Sequence, residues 1–237
     1  MLAELRSGHP DVRFFEVEDD APIVGDALGE IRTAVVPHAV TMIEAARQGD
    51  AAAALTALEQ HRLMCAHRQG PRGVATWERL IERWVADELL ARGELLPSRR
   101  DGCYAGLPLI VLANDYDNDL RNGDTGVVVA EGDGLVGMFG SAAAPLRVPL
   151  GRLGEVASMR ALTVHRSQGS QFARVTVLMP PSSSPLATRE MLYTAVTRTR
   201  TEVTVVGSAA AVTHAAQRRV RRATGLQRRL AEDGALG

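Results

Sequence analysis

The spacing of apolar residues along the chain separates predicted strands from predicted helices. Short runs rich in Val, Phe and Leu at residues 11–19 and 61–67 predict strands, and the second run is typical of a buried strand. Apolar residues three or four positions apart predict helices over residues 25–50, 50–60 and 73–93.

Three residues are expected to interrupt or end these helices. Pro37 predicts a break or a kink in the first helix, because proline has no backbone N–H and its ring crowds the preceding turn. Asp50 is a favourable N-cap for the second helix. Gly93 suits the end of the third.

The pattern changes between residues 101 and 156. Gly, Pro and Asp there divide short β-type runs such as LPLIVLAND and TGVVVAEGD. The pair Asn122 and Gly123 is a strong hairpin-turn signal. The segment therefore predicts a small antiparallel barrel inserted into the surrounding pattern.

Strands and helices alternate again after the insertion, which is typical of a parallel sheet. The predicted elements are strands near Leu162, at residues 174–179 and at residues 202–206, a helix over residues 188–199, and a terminal helix. The predicted fold class is therefore α/β, with residues 1–102 and 158–237 in one domain and residues 103–157 in a β-insertion.

Composition excludes few classes of protein but sets one firm limit. Among 237 residues the formal net charge is −1, and all 27 basic residues are arginine, so no chemistry that requires lysine can come from this chain. Two cysteines are too few for a disulfide framework. No apolar run reaches the ~20 residues of a membrane span, and the N-terminus does not resemble a signal peptide. We therefore expect a cytoplasmic protein that does not contact membranes.

The stretch LTVHRSQGSQF, residues 162–172, places His165 and Ser167 in a polar turn between two apolar runs. Such a turn could present a nucleophile, or it could grip phosphates or nucleic acid. A nucleophile elbow needs glycine two positions before and after the serine, and His165 occupies the first of these positions. A triad of Ser167, Glu202 and His214 is available, but nothing distinguishes the last two residues.

The acidic stretch NDYDNDLRNGD, residues 114–124, superficially resembles a calcium loop. Asp115, Asp117 and Asp119 fall at ligand positions, but Leu120 stands where the loop needs glycine. The twelfth position lacks the bidentate glutamate as well. The stretch therefore predicts an acidic hairpin loop, and no metal site is predicted in this chain.

Arginines supply the remaining candidates. Arg68 follows a predicted strand, at the end where ligands bind in open α/β sheets. Arg198 lies near the end of a predicted helix, and its planar guanidinium suits charge developing on a transferred phosphoryl group. The run QRRVRRATGLQRR, residues 217–229, could bind a nucleic-acid backbone or form a solvated helix face.

Four segments in a fixed order resemble a known family. LTVHRSQGSQF and REMLYTAVTRTR (residues 189–200) resemble the last two conserved motifs of superfamily 1 DNA helicases. MCAHRQGPRGVATWERLIERW (residues 64–84) is similar to the preceding motif. GLPLIVLANDYDNDLRNGDTGVV (residues 106–128) resembles the start of the SH3-like barrel inserted in RecD-type helicases.

The resemblance implies a RecA-like second motor domain and a role for each matching residue. Arg198 would be the arginine finger, and with Arg68 it would reach the γ-phosphate of ATP. Gly169 and Gln171 would approach the ribose or phosphates of the nucleotide. The residues implied to contact single-stranded DNA are Thr163, His165 and Ser167. Arg166 stands where relatives commonly carry lysine.

The family places further parts in a preceding motor domain. A helicase motor needs a phosphate loop of the form G-x-x-x-x-G-K-[ST], which a lysine-free chain cannot contain. The ligands of Mg²⁺ are implied to lie outside this chain too. We therefore expect a fragment that is inactive alone and works with the missing N-terminal motor domain and with RecB- and RecC-like subunits. The alternative is a non-catalytic DNA- or protein-binding module that retains the helicase shell.

Overall fold

The computed structural model describes residues 11–97, 102–167 and 170–218, which form two five-stranded sheets and five helices. In chain order the strands are β1 (Asp11–Glu16), β2 (His61–Cys65), β3 (Pro108–Val111), β4 (Thr125–Glu131), β5 (Gly134–Ser141), β6 (Ala144–Pro149), β7 (Val156–Ser158), β8 (Ala161–Thr163), β9 (Phe172–Leu178) and β10 (Thr199–Gly207). The helices are α1 (Gly25–Arg47), α2 (Ala51–Gln60), α3 (Val74–Ala91), α4 (Arg189–Val196) and α5 (Ala209–Gln217).

The first sheet is parallel throughout, with strand order β1-β10-β9-β2-β8. Because all five strands run the same way, their carboxyl ends meet at one edge and their amino ends at the other. Every residue of β2 is buried, including His61 and Arg62 at its start. This burial explains why the other residues of the strand are apolar. The predicted α/β class with a parallel sheet is confirmed.

Helix α1 continues through Pro37, so the predicted break is wrong. Proline removes one hydrogen bond to the carbonyl four residues earlier, here that of Thr33. Both Pro37 and Thr33 are exposed, so water can reach the carbonyl that proline leaves free. The predicted cap of α2 is confirmed, since the Asp50 carboxylate accepts a hydrogen bond of 2.9 Å from the Ala53 N–H.

The second sheet, with order β6-β5-β4-β3-β7, is antiparallel and follows α3 in the chain, as the insertion predicts. The predicted turn at Asn122 and Gly123 forms between β3 and β4: the Asp124 N–H donates to the Arg121 carbonyl at 2.9 Å, and Gly123 has a φ of +98°. It is part of a longer connection, residues 112–124, whereas two-residue turns lie at residues 132–133 and 142–143.

The antiparallel sheet packs on the helices of the parallel sheet and shares their core. Val127 and Val129 of β4 are buried in one apolar cluster with Met42 and Leu55 of α1 and α2. At Gly106 the backbone passes so close to α1 that a Cβ atom would lie 2.5 Å from Ile43 Cγ1. The two sheets are therefore fixed to each other through α1 and α2. None of the described helices is long and apolar enough to cross a membrane.

Two histidines, His38 in α1 and His61 at the start of β2, are partly or fully buried. His61 is buried and its Nε2 lies 2.9 Å from Thr176 Oγ1; burial holds the pKa of His61 well below its ordinary value. His38 beside Arg174 is half-buried, and burial lowers its pKa too.

We expect the free energy of unfolding to fall as the pH drops below about 6.5. The unfolded chain takes up protons there and the folded protein does not, so each histidine contributes a slope of up to ~1.4 kcal/mol per pH unit. Urea titrations between pH 5 and 8 measure this slope. His61→Gln keeps a hydrogen-bonding group beside Thr176 but cannot titrate, so it should flatten the profile; an unchanged slope would contradict the assignment.

Candidate functional site

The carboxyl ends of β2 and β8, which are neighbours in the sheet, bring two of the predicted segments together. Arg68 follows β2, and Thr163 is the last residue of β8. Both line a cavity of about 200 Å³ that Arg166 also lines. His165 is exposed and lies two residues beyond Thr163 at the same edge. This edge therefore presents two guanidinium groups, a hydroxyl and an imidazole.

Arg198 lies at the opposite edge, between the end of α4 and the start of β10. Its carbonyl accepts a hydrogen bond of 2.8 Å from the N–H of Phe172, the first residue of β9, and its Nη1 donates to the Ser170 carbonyl at 3.3 Å. Its Nε is buried and has no hydrogen-bond partner among the described residues. Gln171, which is exposed, precedes Phe172 at the same edge.

The structure does not bring Arg68 and Arg198 together. Their positions can be compared along β9. Arg198 is hydrogen-bonded to Phe172, the first residue of β9, whereas Arg68 lies three residues beyond Cys65, which pairs with Leu178, the last residue of β9. Leu178 is six residues beyond Phe172, which corresponds to about 20 Å along β9 at ~3.3 Å per residue. A shared contact with one γ-phosphate therefore does not fit this arrangement, and the prediction that paired the two arginines is corrected. Sequence alone could not detect this, because it does not state at which sheet edge each residue lies.

The described residues between β8 and β9 lie at both edges. Val164–Ser167 make a short 3-10 turn after the carboxyl end of β8, and Ser170 and Gln171 precede the amino end of β9. Ser167 is 0% exposed, and its hydroxyl donates a hydrogen bond of 2.7 Å to the Val164 carbonyl. The predicted DNA contact by the Ser167 side chain is therefore wrong: the hydroxyl holds the turn.

The other serine hypothesis fails for the same reason. A buried Ser167 cannot attack a substrate, and Glu202 lies on β10 with its carboxylate 3.6 Å from Arg13. His214 is exposed on α5. Two further predictions lie outside the described residues, namely the nucleotide contact of Gly169 and most of the basic run at residues 217–229.

Sequence analysis missed Arg62, a buried cation beneath the amino edge of β9. Its guanidinium lies 4.9 Å from the centre of the Phe172 ring and donates hydrogen bonds to the carbonyls of Leu58, at 2.9 Å, and Met159. Burial lowers the pKa of Arg62 to about 10, so the group remains charged near neutral pH. Arg62 thus fixes the start of β9, beside Gln171. The feature of the sequence that could have identified Arg62 is an arginine within a predicted buried strand.

A second buried arginine holds β8 in place. Arg160 immediately precedes β8 and donates to Glu78 and Glu82 of α3 at 3.3 Å, and to the Tyr104 hydroxyl. The other oxygen of Glu78 accepts the Ala161 N–H at 2.7 Å. Arg160 therefore joins α3, β8 and the segment that enters the antiparallel sheet.

Comparison with known proteins shows what this chain is similar to in sequence. Residues 158–206 match the model of the UvrD-like helicase C-terminal domain. The chain is 48% identical over 234 residues to the RecBCD enzyme subunit RecD of Mycobacterium tuberculosis H37Rv, covering 99% of this chain and 38% of that protein. RecD of Mycolicibacterium smegmatis is 48% identical over 209 residues, or 88% of this chain and 36% of the relative.

The chain thus spans a little more than a third of the length of these relatives. A more distant likeness is the crystal structure of Pif1 helicase from Bacteroides in complex with ADP-AlF3 and ssDNA. It is 17% identical with a TM-score of 0.41, and the match covers 74% of this chain and 46% of that one. Over 99% of its own length the chain is therefore similar in sequence to RecD, and residues 158–206 are similar to a UvrD-like helicase C-terminal domain.

Proposed function

We propose that this chain is the second, RecA-like motor domain of an ATP-dependent 5′→3′ DNA helicase subunit of RecD type. The antiparallel sheet would be its SH3-like barrel insertion. The observation that carries the proposal is the placement of His165 after β8, at one edge of the sheet, and of Gln171 and Arg198 at the opposite edge, where β9 begins. A motor needs two such sites, because nucleotide closure at one place must move DNA contacts at another.

The amino edge of the sheet is the proposed nucleotide side. Arg198 would act as an arginine finger and reach the γ-phosphate of ATP held by the preceding motor domain. Its Nη1 is held by the Ser170 carbonyl, and its Nη2 has no hydrogen bond among the described residues, so that donor would be the one to meet a phosphate. Gln171 would contact the ribose or phosphates, and Gly169 is proposed there from the motif alone.

The carboxyl edge is the proposed side for single-stranded DNA, through Thr163 and the exposed His165. A step would follow when closure around ATP pulls on Gln171 and the tethered turn at Ser167 passes the movement to His165. The buried Ser167 hydroxyl closes this short turn by donating to the Val164 carbonyl, which would support such a transmission.

The remaining parts would come from outside this chain. The phosphate loop with its lysine and the ligands of Mg²⁺ would belong to the first motor domain, and the described residues contain no group of three potential metal ligands. By analogy with the RecBCD subunit that it resembles, the protein would assemble with RecB- and RecC-like subunits and act in double-strand break repair and recombination.

The chain by itself is expected to bind single-stranded DNA weakly, in a salt-sensitive manner, and to hydrolyse no ATP. His165→Ala should weaken binding of a labelled oligothymidylate several-fold in fluorescence anisotropy, because an exposed contact at the proposed DNA edge is lost. His214→Ala, at an exposed histidine on α5, is the matched control. Equal loss in both variants, or ATP turnover abolished by Arg198→Ala in the isolated chain, would contradict the proposal.

A further inference from the structure

A buried arginine, Arg62, lies between the antiparallel sheet and the edge that carries Arg198. We propose that Arg62 is a positioning residue for Arg198: it holds the start of β9, and the start of β9 holds the Arg198 guanidinium. At 4% exposure Arg62 cannot itself meet a nucleotide. The inference rests on the proposed function and adds to it the contacts by which the rest of the fold orients the arginine finger.

The residues at the start of β9 hold both the backbone and the side chain of Arg198. The Arg198 carbonyl accepts the Phe172 N–H at 2.8 Å, and Nη1 donates to the Ser170 carbonyl at 3.3 Å, which is the one hydrogen bond of this side chain to the described part of the chain. The next residue is fixed in the same way, since Thr199 Oγ1 donates to the Ala173 carbonyl at 3.1 Å. A shift of residues 170–173 would therefore shift the guanidinium of Arg198 with them.

The start of β9 is in turn held by Arg62. Phe172 is buried, and the guanidinium of Arg62 lies 4.9 Å from the centre of its ring, within the range of a cation–π attraction that strengthens away from water. Two carbonyls fix the guanidinium on its other sides, that of Leu58 near the end of α2, at 2.9 Å, and that of Met159 between β7 and β8. Arg62 therefore joins α2 and the exit from the antiparallel sheet to the strand that orients Arg198.

The energetics of Arg62 favour a positioning role over a contribution to stability. Its Nε is buried and has no hydrogen-bond partner among the described residues, and an unpaired buried donor on a charged group is costly. Apolar side chains of similar volume often replace buried charges without loss of stability. An apolar side chain cannot supply a planar cation that contacts an aromatic ring and two carbonyls at once. Those directional contacts are what Arg62 provides to β9.

The first test uses the chain itself and measures amide hydrogen exchange by NMR. In Arg62→Met the Phe172 amide, which donates to the Arg198 carbonyl, should exchange about tenfold faster, because the start of β9 opens locally more often. The Met179 amide donates to the Val206 carbonyl at 2.9 Å at the opposite edge and should keep its rate. Acceleration of both amides by one factor would indicate a general loss of stability and would overturn the inference, as would unchanged exchange at Phe172.

The second test measures ATP turnover in the protein that includes the first motor domain. Arg62→Met should lower kcat about ten- to a hundredfold with little change in KM for ATP, because a small misplacement of the finger weakens only the transition state. In the Arg198→Ala background the same substitution should have no further effect, since Arg62 acts through Arg198. Single-turnover hydrolysis measures these low rates. Arg62→Lys keeps a cation against the Phe172 ring and should recover most of kcat.

Arg72→Met is the matched control. Arg72 is also buried and donates to backbone carbonyls, those of Met179, at 3.2 Å, and of Glu18, but it does so at the carboxyl edge. Its loss should leave kcat at saturating DNA unchanged. Wild-type kcat in Arg62→Met, or an equal loss in the Arg198→Ala background, would overturn the positioning role and leave the arginine finger intact. No effect of Arg198→Ala itself would overturn the proposed function and the inference that rests on it.

Discussion

Replacing Arg198 with alanine in the protein that includes the first motor domain is expected to reduce ATP turnover about a thousandfold or more. An arginine finger stabilises charge on the transferred γ-phosphoryl group, and its loss typically costs three to five orders of magnitude. Binding of single-stranded DNA should largely survive, because Arg198 lies at the edge opposite Thr163 and His165. Steady-state ATPase assays with saturating DNA, together with anisotropy, measure the two effects separately.

Arg200→Ala is the matched control for this experiment. Arg200 is only two residues away, but it is exposed and pairs with Glu59 at 3.2 Å, so its loss should leave turnover nearly unchanged. Arg198→Lys keeps the charge but loses the planar fork, and we expect it to recover little activity. If Arg198→Ala hydrolysed ATP at the wild-type rate, the motor assignment would fail and a non-catalytic DNA- or protein-binding module would be the better interpretation.

Replacing Arg160 with alanine is expected to lower the free energy of unfolding by about 3–5 kcal/mol. The Arg160 side chain is only 7% exposed, and its removal leaves the carboxylates of Glu78 and Glu82, 14% and 29% exposed, without their shared cation. A buried charge that loses its partner is strongly destabilising, because water cannot replace the lost interaction. Urea denaturation followed by circular dichroism measures the change.

The comparison variant is Arg147→Ala, which removes a surface pair with Glu131 whose side chains are 51% and 47% exposed. Exposed pairs contribute little, so its effect should stay within about 1 kcal/mol. A second comparison replaces all three charged groups of the network together, as Arg160→Met with Glu78→Leu and Glu82→Leu. Apolar side chains of similar volume should restore much of the stability. A small effect of Arg160→Ala alone would show that the ion pairs of Arg160 do not hold β8 against α3.

Local sequence predicted most elements because their signals are short-range. Asp50 caps α2 as expected, since an N-cap needs only the residues of its own first turn. Of the break or kink predicted at Pro37, the break is wrong, because its cost depends on whether the freed carbonyl of Thr33 meets water, which the helix's position in the fold decides. Asn122 and Gly123 are residues that favour a turn, but the backbone pairing of β3 with β4 ends before it reaches them.

The candidate site was predicted less completely than the fold. The motif sequences led to His165, Gln171 and Arg198, and the structure shows His165 at one edge of the sheet and the other two at the opposite edge. Ser167 was mistaken for a contact because a polar residue in a turn looks exposed, whereas its hydroxyl closes the turn from inside. Arg62 was overlooked because an isolated basic residue gives no sign that it will lie against the Phe172 ring.

The sequence by itself determined the alternation of strands and helices, the lysine-free chemistry and the motifs shared with helicases. Those properties depend on residue types and short spacings. Only the tertiary structure decided which distant residues meet. Arg68 joins Thr163 and Arg166 because β2 and β8 are parallel neighbours, and it is separated from Arg198 because one follows a strand and the other precedes one. Strand order and direction arise from packing between remote segments, and no local pattern carries that information.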